Sequence, residues 1–370
     1  IIAGFVLGSL LGGWLADSSW RVAMGLVPLL CLLCLPLLPI LLPEMPANPS
    51  LRADVPGLIT IAAAMVLFLS GVSHAVSGLG APAFWMPTLA GLLMFVVHIL
   101  IERRRSEPIF PVSLYTRGCF AAAIVSGIAW NFAQAVVQLQ TSNFWQVVQR
   151  FSTAQVALAQ LPLVVTFGVG GIVAGLLLRP GRRTTQLMAG GTVALVVGLA
   201  LLGGIQAASP YLTLVPALLL VGIGLACVAV PQSALFLQEA PTEAVGAVTA
   251  FRTTTGQLGF ALGFAASGTM VHSFGFESLR NRLLGNGIGP AAIPAIENQV
   301  RLFLRTGHLP QGPRGEQLLE LIRAACASGL SLTMVGVALI TALLGCITLL
   351  LLVIGHQQQR LKSSRFLGSV

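Results

Sequence analysis

Charge is what this sequence has least of. Only 8% of its 370 residues are Asp, Glu, Lys or Arg, whereas 56% are hydrophobic. A soluble domain carries about 25% charged residues. So few charges cannot cover the water-exposed surface of a protein this size. The composition therefore excludes a soluble protein, and the lipid bilayer is the expected solvent.

Signatures of chemistry are scarce as well. The sequence contains no G-x-x-x-x-G-K-[ST] phosphate loop, which argues against ATP-driven transport by this chain. No nucleophile, base or metal-ligand set converges at one depth, so we expect neither an enzyme nor a cofactor or metal site. Cys31-Leu32-Leu33-Cys34 has C-x-x-C spacing without a partner His or acid, and buried thiols act as small hydrophobic groups.

Long charge-free gaps divide the chain. A helix crossing about 30 Å of hydrocarbon needs about 20 apolar residues. Two gaps, Asp54 to Glu102 and Arg183 to Glu239, are interrupted by turn-forming residues at 78–82 and 207–210 and hold two crossings each. Six gaps hold one crossing each: before Asp17, Arg21 to Glu44, Arg117 to Arg150, Arg150 to Arg179, Arg252 to Glu277 and Arg323 to Arg360. The sequence predicts an all-α polytopic membrane protein with about ten transmembrane helices.

The basic residues indicate topology. The net charge of +9 comes from short clusters between apolar runs, without the basic face that nucleic-acid binding requires, so nucleic acid is not an expected partner. Loops rich in arginine, such as 103–105 and 179–183, alternate with loops carrying only Arg21 or Arg150. Arg and Lys mark cytoplasmic loops. We therefore expect a multi-pass protein of the cell membrane with its C-terminus in the cytoplasm.

The chain opens inside an apolar run, with Ile1 in place of Met. The run has no basic region before it, so it is not a signal peptide. It is barely long enough to cross the bilayer, and we expect a truncated chain that begins within or just before a helix.

Glycine is abundant, with 41 residues. Gly4, Gly8 and Gly12 repeat at a spacing of four, with Gly13 beside them. Small residues let membrane helices approach backbone to backbone. Such a stripe fits generic close packing or a helix that slides against its neighbour.

The same stripe carries a resemblance to a known family. Gly4-x3-Gly8-Ser9-x2-Gly12-Gly13, continued by Trp14-Leu15-Ala16-Asp17 and by Trp20-Arg21, resembles helices five and six of the fourteen-spanner drug:proton antiporter branch of the major facilitator superfamily. In the family the motif reads G-x3-G-P-x2-G-G, with proline where this chain has Ser9. Three later segments match at corresponding intervals: Glu107-Pro108-Ile109-Phe110, Phe151-Ser152-x2-Gln155-x3-Ala159-x2-Pro162 and Gln257-Leu258-Gly259-x3-Gly263.

The resemblance implies a major facilitator fold comprising family helices five to fourteen, with the first four helices absent. It divides the chain into the last two helices of the N-terminal bundle (1–43) and two extra central helices with a cytoplasmic linker (44–118). A C-terminal six-helix bundle (119–356) contains a long external loop (272–325), and a basic cytoplasmic tail follows (357–370). Gly4, Gly8, Ser9, Gly12 and Gly13 would form the moving interface between bundles.

Three amides share one face of the fifth predicted helix. Asn131, Gln134 and Gln138 stand at i, i+3 and i+7, beside Trp130. Polar side chains are costly in hydrocarbon and mark either a cavity or interhelical hydrogen bonds. The resemblance favours a substrate cavity. Uncharged amides and a Trp in its wall would suit an amphipathic substrate. Gln257, near the cytoplasmic end of its helix, is a weaker candidate.

Acids are missing from the interior of the predicted helices. Asp17 stands at a helix end, and Glu102 is expected in a loop. Proton antiport typically needs a buried carboxylate, which we expect upstream of this chain. His74 and His98 are expected to be hydrogen-bonded packing residues rather than proton relays.

The segment 272–325 carries two patterns of helical spacing. Ile293, Ile296, Val300 and Leu304 form one, and Leu318, Leu321, Ile322 and Ala325 the other. They predict two short amphipathic helices on the outer face, acting as a lid or as a passive anchor.

The favoured function is secondary active transport: proton-coupled export of amphipathic drugs or other lipophilic small molecules by alternating access. The partners would be that substrate, protons and the lipid bilayer, and the protein is expected to be a monomer. Three alternatives stay open: an uptake or facilitator transporter, a non-transporting remnant of the same fold, and an interaction protein of the same fold.

Overall fold

A computed structural model describes residues 2–41, 55–78, 80–104, 114–178, 182–241, 245–306 and 315–367, and within these ranges all regular structure is helical. The α-helices are α1 (Ile2–Ser18), α2 (Trp20–Cys34), α3 (Leu38–Leu41), α4 (Val55–Ser73), α5 (Pro82–Arg104), α6 (Gly118–Asn143), α7 (Thr153–Ala159), α8 (Leu161–Leu177), α9 (Arg182–Leu202), α10 (Tyr211–Glu239), α11 (Val245–Gly285), α12 (Ile293–Thr306) and α13 (Gly315–Leu367). The predicted linker motif at 107–110 lies outside the described residues.

Among the described residues, seven helical segments are long and apolar enough to cross a membrane: Trp20–Leu41, Val55–Ser73, Pro82–Arg104, Gly118–Val148, Arg183–Leu202, Tyr211–Glu239 and Glu316–Gln359. The bent pair α7 and α8 makes an eighth. The two other predicted crossings are also helical. However, α1 has only 17 residues, and glycine, serine and threonine lower the hydropathy of α11.

The core lies among α6 to α11 and α13. Helix α6 is the most enclosed, with Ala133, Ala135, Val136 and Val137 fully buried, and it packs against α10, α11 and α13. Helix α10 packs in turn between α8 and α9. By contrast, α2 and α5 expose most of their large apolar side chains, and α4 exposes Val55, Leu58, Ile59 and Val66, as expected for surfaces that face lipid.

A capping box and a proline shape the pair α7–α8. Ser152 and Gln155 exchange hydrogen bonds at the start of α7, at 3.3 and 2.8 Å. The axis then bends by 40° at Gln160, because Pro162 has no backbone N–H and its ring crowds the preceding turn. Gln160 Nε2 donates to the Gln138 carbonyl at 3.0 Å and to Ser142 Oγ at 2.8 Å, which fixes the bend to α6.

Polar contacts at the bundle ends join loops that the charge pattern assigns to the same side. At one end Arg117 Nη1 lies 3.3 Å from Glu239 Oε2, and Gln359 Nε2 donates to Glu239 Oε1 at 2.9 Å. At the other end Gln149 Nε2 donates to the Ser209 carbonyl at 2.8 Å. Helix α6 therefore runs in the opposite direction to α10 and α13, as the charge pattern predicts.

Two local predictions were wrong. The second short amphipathic helix is not a separate element, because Leu318–Ala325 lies within the first turns of α13. Glu102 is not in a loop either. It lies in the last turn of α5, with 3% of its surface exposed. The residues that end the apolar run of α5, Glu102, Arg103 and Arg104, are good helix formers. The helix therefore continues past the end of the apolar run.

The first amphipathic helix is confirmed as α12, whose buried Ile293 and Val300 pack with Leu279, Leu283 and Ile322. Residues 272–285, which the sequence places in an outer loop, continue α11 to Gly285. The gap between α12 and α13 lies outside the described residues.

Helices α4 and α5 pack as a hairpin that has no space for a side chain at Gly91. A Cβ at position 91 would lie 2.7 Å from the Cα of Phe68 in α4, so the two helices are in contact backbone to backbone.

Gly91→Ala should therefore destabilise the protein by about 1–3 kcal/mol through overpacking, measured as a lower unfolding temperature in detergent. Gly80→Ala is the matched control, because a Cβ there meets no atom within 4 Å. Equal unfolding temperatures for both variants would contradict the close contact.

Candidate functional site

The three predicted amides on α6 (Asn131, Gln134 and Gln138, here the amide face) have different surroundings. Asn131 Nδ2 donates to the Gly127 carbonyl of its own helix at 2.8 Å. The same side chain packs against α11 at Gly256, where a Cβ would lie 3.1 Å from Nδ2. Helices α6 and α11 thus meet closely at this level because residue 256 has no side chain.

Gln134 and Gln138 differ from Asn131. Gln134 is only 7% exposed, and within the described part of the chain neither side-chain amide makes a hydrogen bond. Two other interior amides form hydrogen bonds to a neighbouring helix: Gln140 Nε2 donates to Ser267 Oγ at 3.0 Å, and Gln232 Nε2 donates to the Ala123 carbonyl at 3.4 Å. Gln140 and Gln232 join helices, whereas Gln134 and Gln138 keep their hydrogen-bonding capacity available.

The two residues predicted to flank the amide face, Trp130 and Gln257, differ in their contacts and in their exposure. The indole of Trp130 stacks on Phe167 of α8, with ring centroids 6.3 Å apart, and borders a cavity of about 10 Å³ that also touches Thr192 and Thr341. That cavity is about the size of one water molecule. Gln257 is exposed on α11 directly after Gly256. Neither this cavity nor a larger one lined by Gln140 and Asn143 includes a residue of the amide face.

Among Gly8, Gly12 and Gly13, the glycines of the α1 stripe whose surroundings are described, one packs closely against the rest of the protein. A Cβ at Gly13 would lie 2.5 Å from Ala157 Cβ and 3.2 Å from the Thr153 carbonyl oxygen, whereas at Gly8 and Gly12 it would meet no described atom within 4 Å. The surroundings of Gly4 and the side chain of Ser9 lie outside the described part. Gly13 is therefore the residue that lets α1 approach α7.

Asp17 adds a polar contact at the same place, which sequence reasoning missed. Its Oδ1 accepts a hydrogen bond from the Thr153 backbone N–H at 2.8 Å. The first N–H groups of a helix lack internal partners and favour negative charge. The Ser152-x-x-Gln155 pattern signals that helix start, but no local pattern shows which acid reaches it.

The two histidines of the α4–α5 hairpin are hydrogen-bonded locally. His98 is buried, with Nδ1 3.1 Å from Thr60 Oγ1, and His74 Nδ1 lies 2.8 Å from the Ser70 carbonyl oxygen. Both contacts fit the predicted packing role.

Comparison with known families gives a direct result: the family model of the Major Facilitator Superfamily matches residues 1–264. The chain belongs to the major facilitator superfamily. The match runs from α1 into α11 and confirms the expected fold. It also places the chain in a family of membrane transporters rather than of enzymes.

Similar proteins include two from antibiotic-producing bacteria. The puromycin resistance protein of Streptomyces alboniger is 31% identical over 297 residues, covering 78% of this chain and 58% of that protein. The tetracenomycin C resistance and export protein of Streptomyces glaucescens is 26% identical over 370 residues, covering 94% of this chain and 65% of that protein. The chain thus spans less than two thirds of the length of these relatives.

Among solved structures, a bacterial homolog of the human lysosomal transporter Spinster, in an inward-facing and unoccupied conformation, matches with a TM-score of 0.47. It has 14% sequence identity and covers 80% of this chain and 68% of that one.

Proposed function

We propose that this protein is a secondary active transporter that exports amphipathic small molecules across the cell membrane in exchange for protons. Family membership carries the transport part of this proposal. Export is supported by the relatives, one named for puromycin resistance and one for tetracenomycin C resistance and export. Proton coupling is supported by the resemblance of the α1 glycine motif to the drug:proton antiporter branch.

The proposed mechanism is alternating access between two bundles. Residues 1–43 would belong to the N-terminal bundle and residues 119–356 to the C-terminal bundle, with 44–118 as the central pair of helices and linker. The contact between α1 and α7, at Gly13 and Asp17, would then be an interface between bundles. Close packing at Gly13 supports this, because a helix without a side chain there can move across its neighbour at short range.

The proposed substrate site is the amide face. Gln134 and Gln138 have amides free to hydrogen-bond, and the other residues between Asn131 and Gln138 are all apolar and buried: Phe132, Ala133, Ala135, Val136 and Val137. A site of a few polar groups on an apolar wall suits an amphipathic ligand. Trp130 would add aromatic surface, and Asn131 and Gln257 would border the site next to Gly256.

Gln134→Leu tests this site. Leucine keeps about the same volume but cannot hydrogen-bond, and losing one such bond costs about 1–1.5 kcal/mol. We therefore expect a roughly tenfold loss of transport efficiency. The measurement is puromycin efflux from an efflux-deficient bacterial host, at equal amounts of protein in the membrane.

Gln206→Leu is the matched control, because Gln206 is an exposed amide between α9 and α10, away from the amide face. Wild-type efflux by Gln134→Leu would overturn the substrate site. A protonophore should stop efflux by the unmodified protein, and efflux that persists would overturn proton coupling. If the protein raises puromycin accumulation instead, or moves no solute, uptake or a non-transporting role replaces export.

A further inference from the structure

A second and larger cavity, here the end cavity, lies where α6, α11 and α13 separate near one end of the bundle. Its volume is about 340 Å³. Phe144 and Val147, just after α6, form one wall, and Phe276 and Leu279 of α11 form another. Val300 of α12 closes a side, so the amphipathic helix contributes directly to the cavity.

Three polar residues line the end cavity: Gln140, Asn143 and His272. Gln140 Nε2 donates to Ser267 Oγ at 3.0 Å, and its Oε1 accepts from Asn143 Nδ2 at 3.3 Å. Within the described part of the chain, Asn143 Oδ1 accepts no hydrogen bond. The cavity therefore has apolar walls and one hydrogen-bonding edge, which is typical of small-molecule sites.

Arg301 holds α12 against the cavity. Its Nη1 lies 3.1 Å from His272 Nε2, and its Cζ lies 4.5 Å from the centre of the Phe276 ring. A guanidinium can only donate, so His272 Nε2 must be the acceptor, and the imidazole is neutral with its proton on Nδ1. The cation over the Phe276 ring adds a second attraction.

The electrostatics of the end cavity select against cations. No Asp or Glu is among the described lining residues, so a cationic ligand would find no counter-charge in the wall. Arg301 places a positive charge beside the lining residues His272 and Phe276. Opposite charges attract and like charges repel at such a site.

The volume limits the size of the ligand. Small-molecule sites measure about 300–1,000 Å³, and the end cavity lies near the lower bound. A compact aromatic molecule fits this space, whereas a lipid with two acyl chains does not.

We propose that the end cavity is a second ligand site, separate from the amide face, for a compact aromatic amphiphile that is neutral or anionic. The aromatic part would lie between Phe144 and Phe276, and a donor on the ligand would reach Asn143 Oδ1. Binding there does not require transport, so this inference and the proposed function can fail independently.

Photolabelling of the purified full chain tests the site, with para-benzoylbenzoate as an anionic aromatic probe. Adducts mapped by mass spectrometry are expected in segments 139–148, 268–279 and 322–330. Gly268→Leu should reduce this labelling about tenfold, because the new side chain fills space that the probe needs. Gly268 lines the cavity, and a Cβ there meets no atom within 4 Å, so leucine fits without a backbone clash.

Gly246→Leu is the matched control: it lies in the same helix, is equally open, and is not among the lining residues. It should label like the unmodified protein. The cationic analogue para-benzoylbenzyl trimethylammonium should label the cavity about tenfold less than the carboxylate. Equal labelling by the two probes would overturn the charge preference, and equal labelling of Gly268→Leu would overturn the site. The Gln134→Leu variant should label normally, which separates this result from the transport assay.

Discussion

Gly13→Leu is expected to reduce export about tenfold to hundredfold while the protein still reaches the membrane. A side chain at position 13 would collide with Ala157 and with the Thr153 carbonyl of α7. Overpacking of this kind costs about 1–3 kcal/mol. If α1 and α7 separate during the cycle, the penalty applies only while they are in contact. The equilibrium between the state with α1 and α7 in contact and the state with them apart then shifts about tenfold to hundredfold toward the separated state. Efflux should fall accordingly, because the cycle needs both states.

Gly12→Leu is an unusually close control for this experiment. It makes the same substitution one residue earlier, where a Cβ meets no described atom within 4 Å. We expect near-normal puromycin efflux from Gly12→Leu and about tenfold to hundredfold less from Gly13→Leu, at equal membrane levels. Equal losses in both variants would mean that the α1–α7 contact plays no part in transport.

The pair Gly12 and Gly13 also shows where sequence reasoning stops. Both glycines belong to one motif, and spacing treats them alike. Their surroundings differ because α7 passes beside one of them, which is a tertiary fact. The Asp17 hydrogen bond to Thr153 is similar, since the two residues are 136 positions apart.

Helix positions were predictable because hydrocarbon excludes charge, so the gaps between charged residues mark the helices. Helix lengths were less predictable. Helix α13 begins at Gly315, well before its apolar run, because residues such as Glu316, Leu318 and Leu319 are themselves good helix formers. Backbone hydrogen bonding continues as long as propensity permits, whether or not the surroundings are lipid.

In the candidate site, too, the sequence predicts which helix carries a residue but not what that residue contacts. Sequence spacing correctly puts Asn131, Gln134 and Gln138 on one helix, yet it cannot separate an amide that joins helices from one that is free. That distinction depends on partners such as Ser267, which lies 127 residues from Gln140. The interhelical role therefore holds for Gln140 and Gln232, whereas a substrate-cavity role for Gln134 and Gln138 stays a prediction.

Trp145→Ala should produce the largest loss of stability. Trp145 follows α6, is fully buried, and packs in the bundle core with its ring centroid 6.3 Å from that of Tyr211. Truncating a buried Trp to alanine costs about 3–5 kcal/mol, because contacts are lost and a cavity remains. We expect a marked fall in the unfolding temperature of the purified protein in detergent.

Two further variants test whether the loss of stability comes from lost core packing or from removal of an indole as such. Trp145→Phe should be much milder, because most of the apolar contact is kept and Trp145 Nε1 has no hydrogen-bond partner among the described residues. Trp14→Ala removes an indole that is 68% exposed on α1 and should change the unfolding temperature little. If Trp14→Ala and Trp145→Ala lowered it equally, burial in the core could not be the reason for the effect. The expected order of unfolding temperatures is lowest for Trp145→Ala, intermediate for Trp145→Phe and highest for the unmodified protein. That order would assign the loss to core packing, because phenylalanine keeps part of the buried contact of Trp145 and alanine keeps almost none.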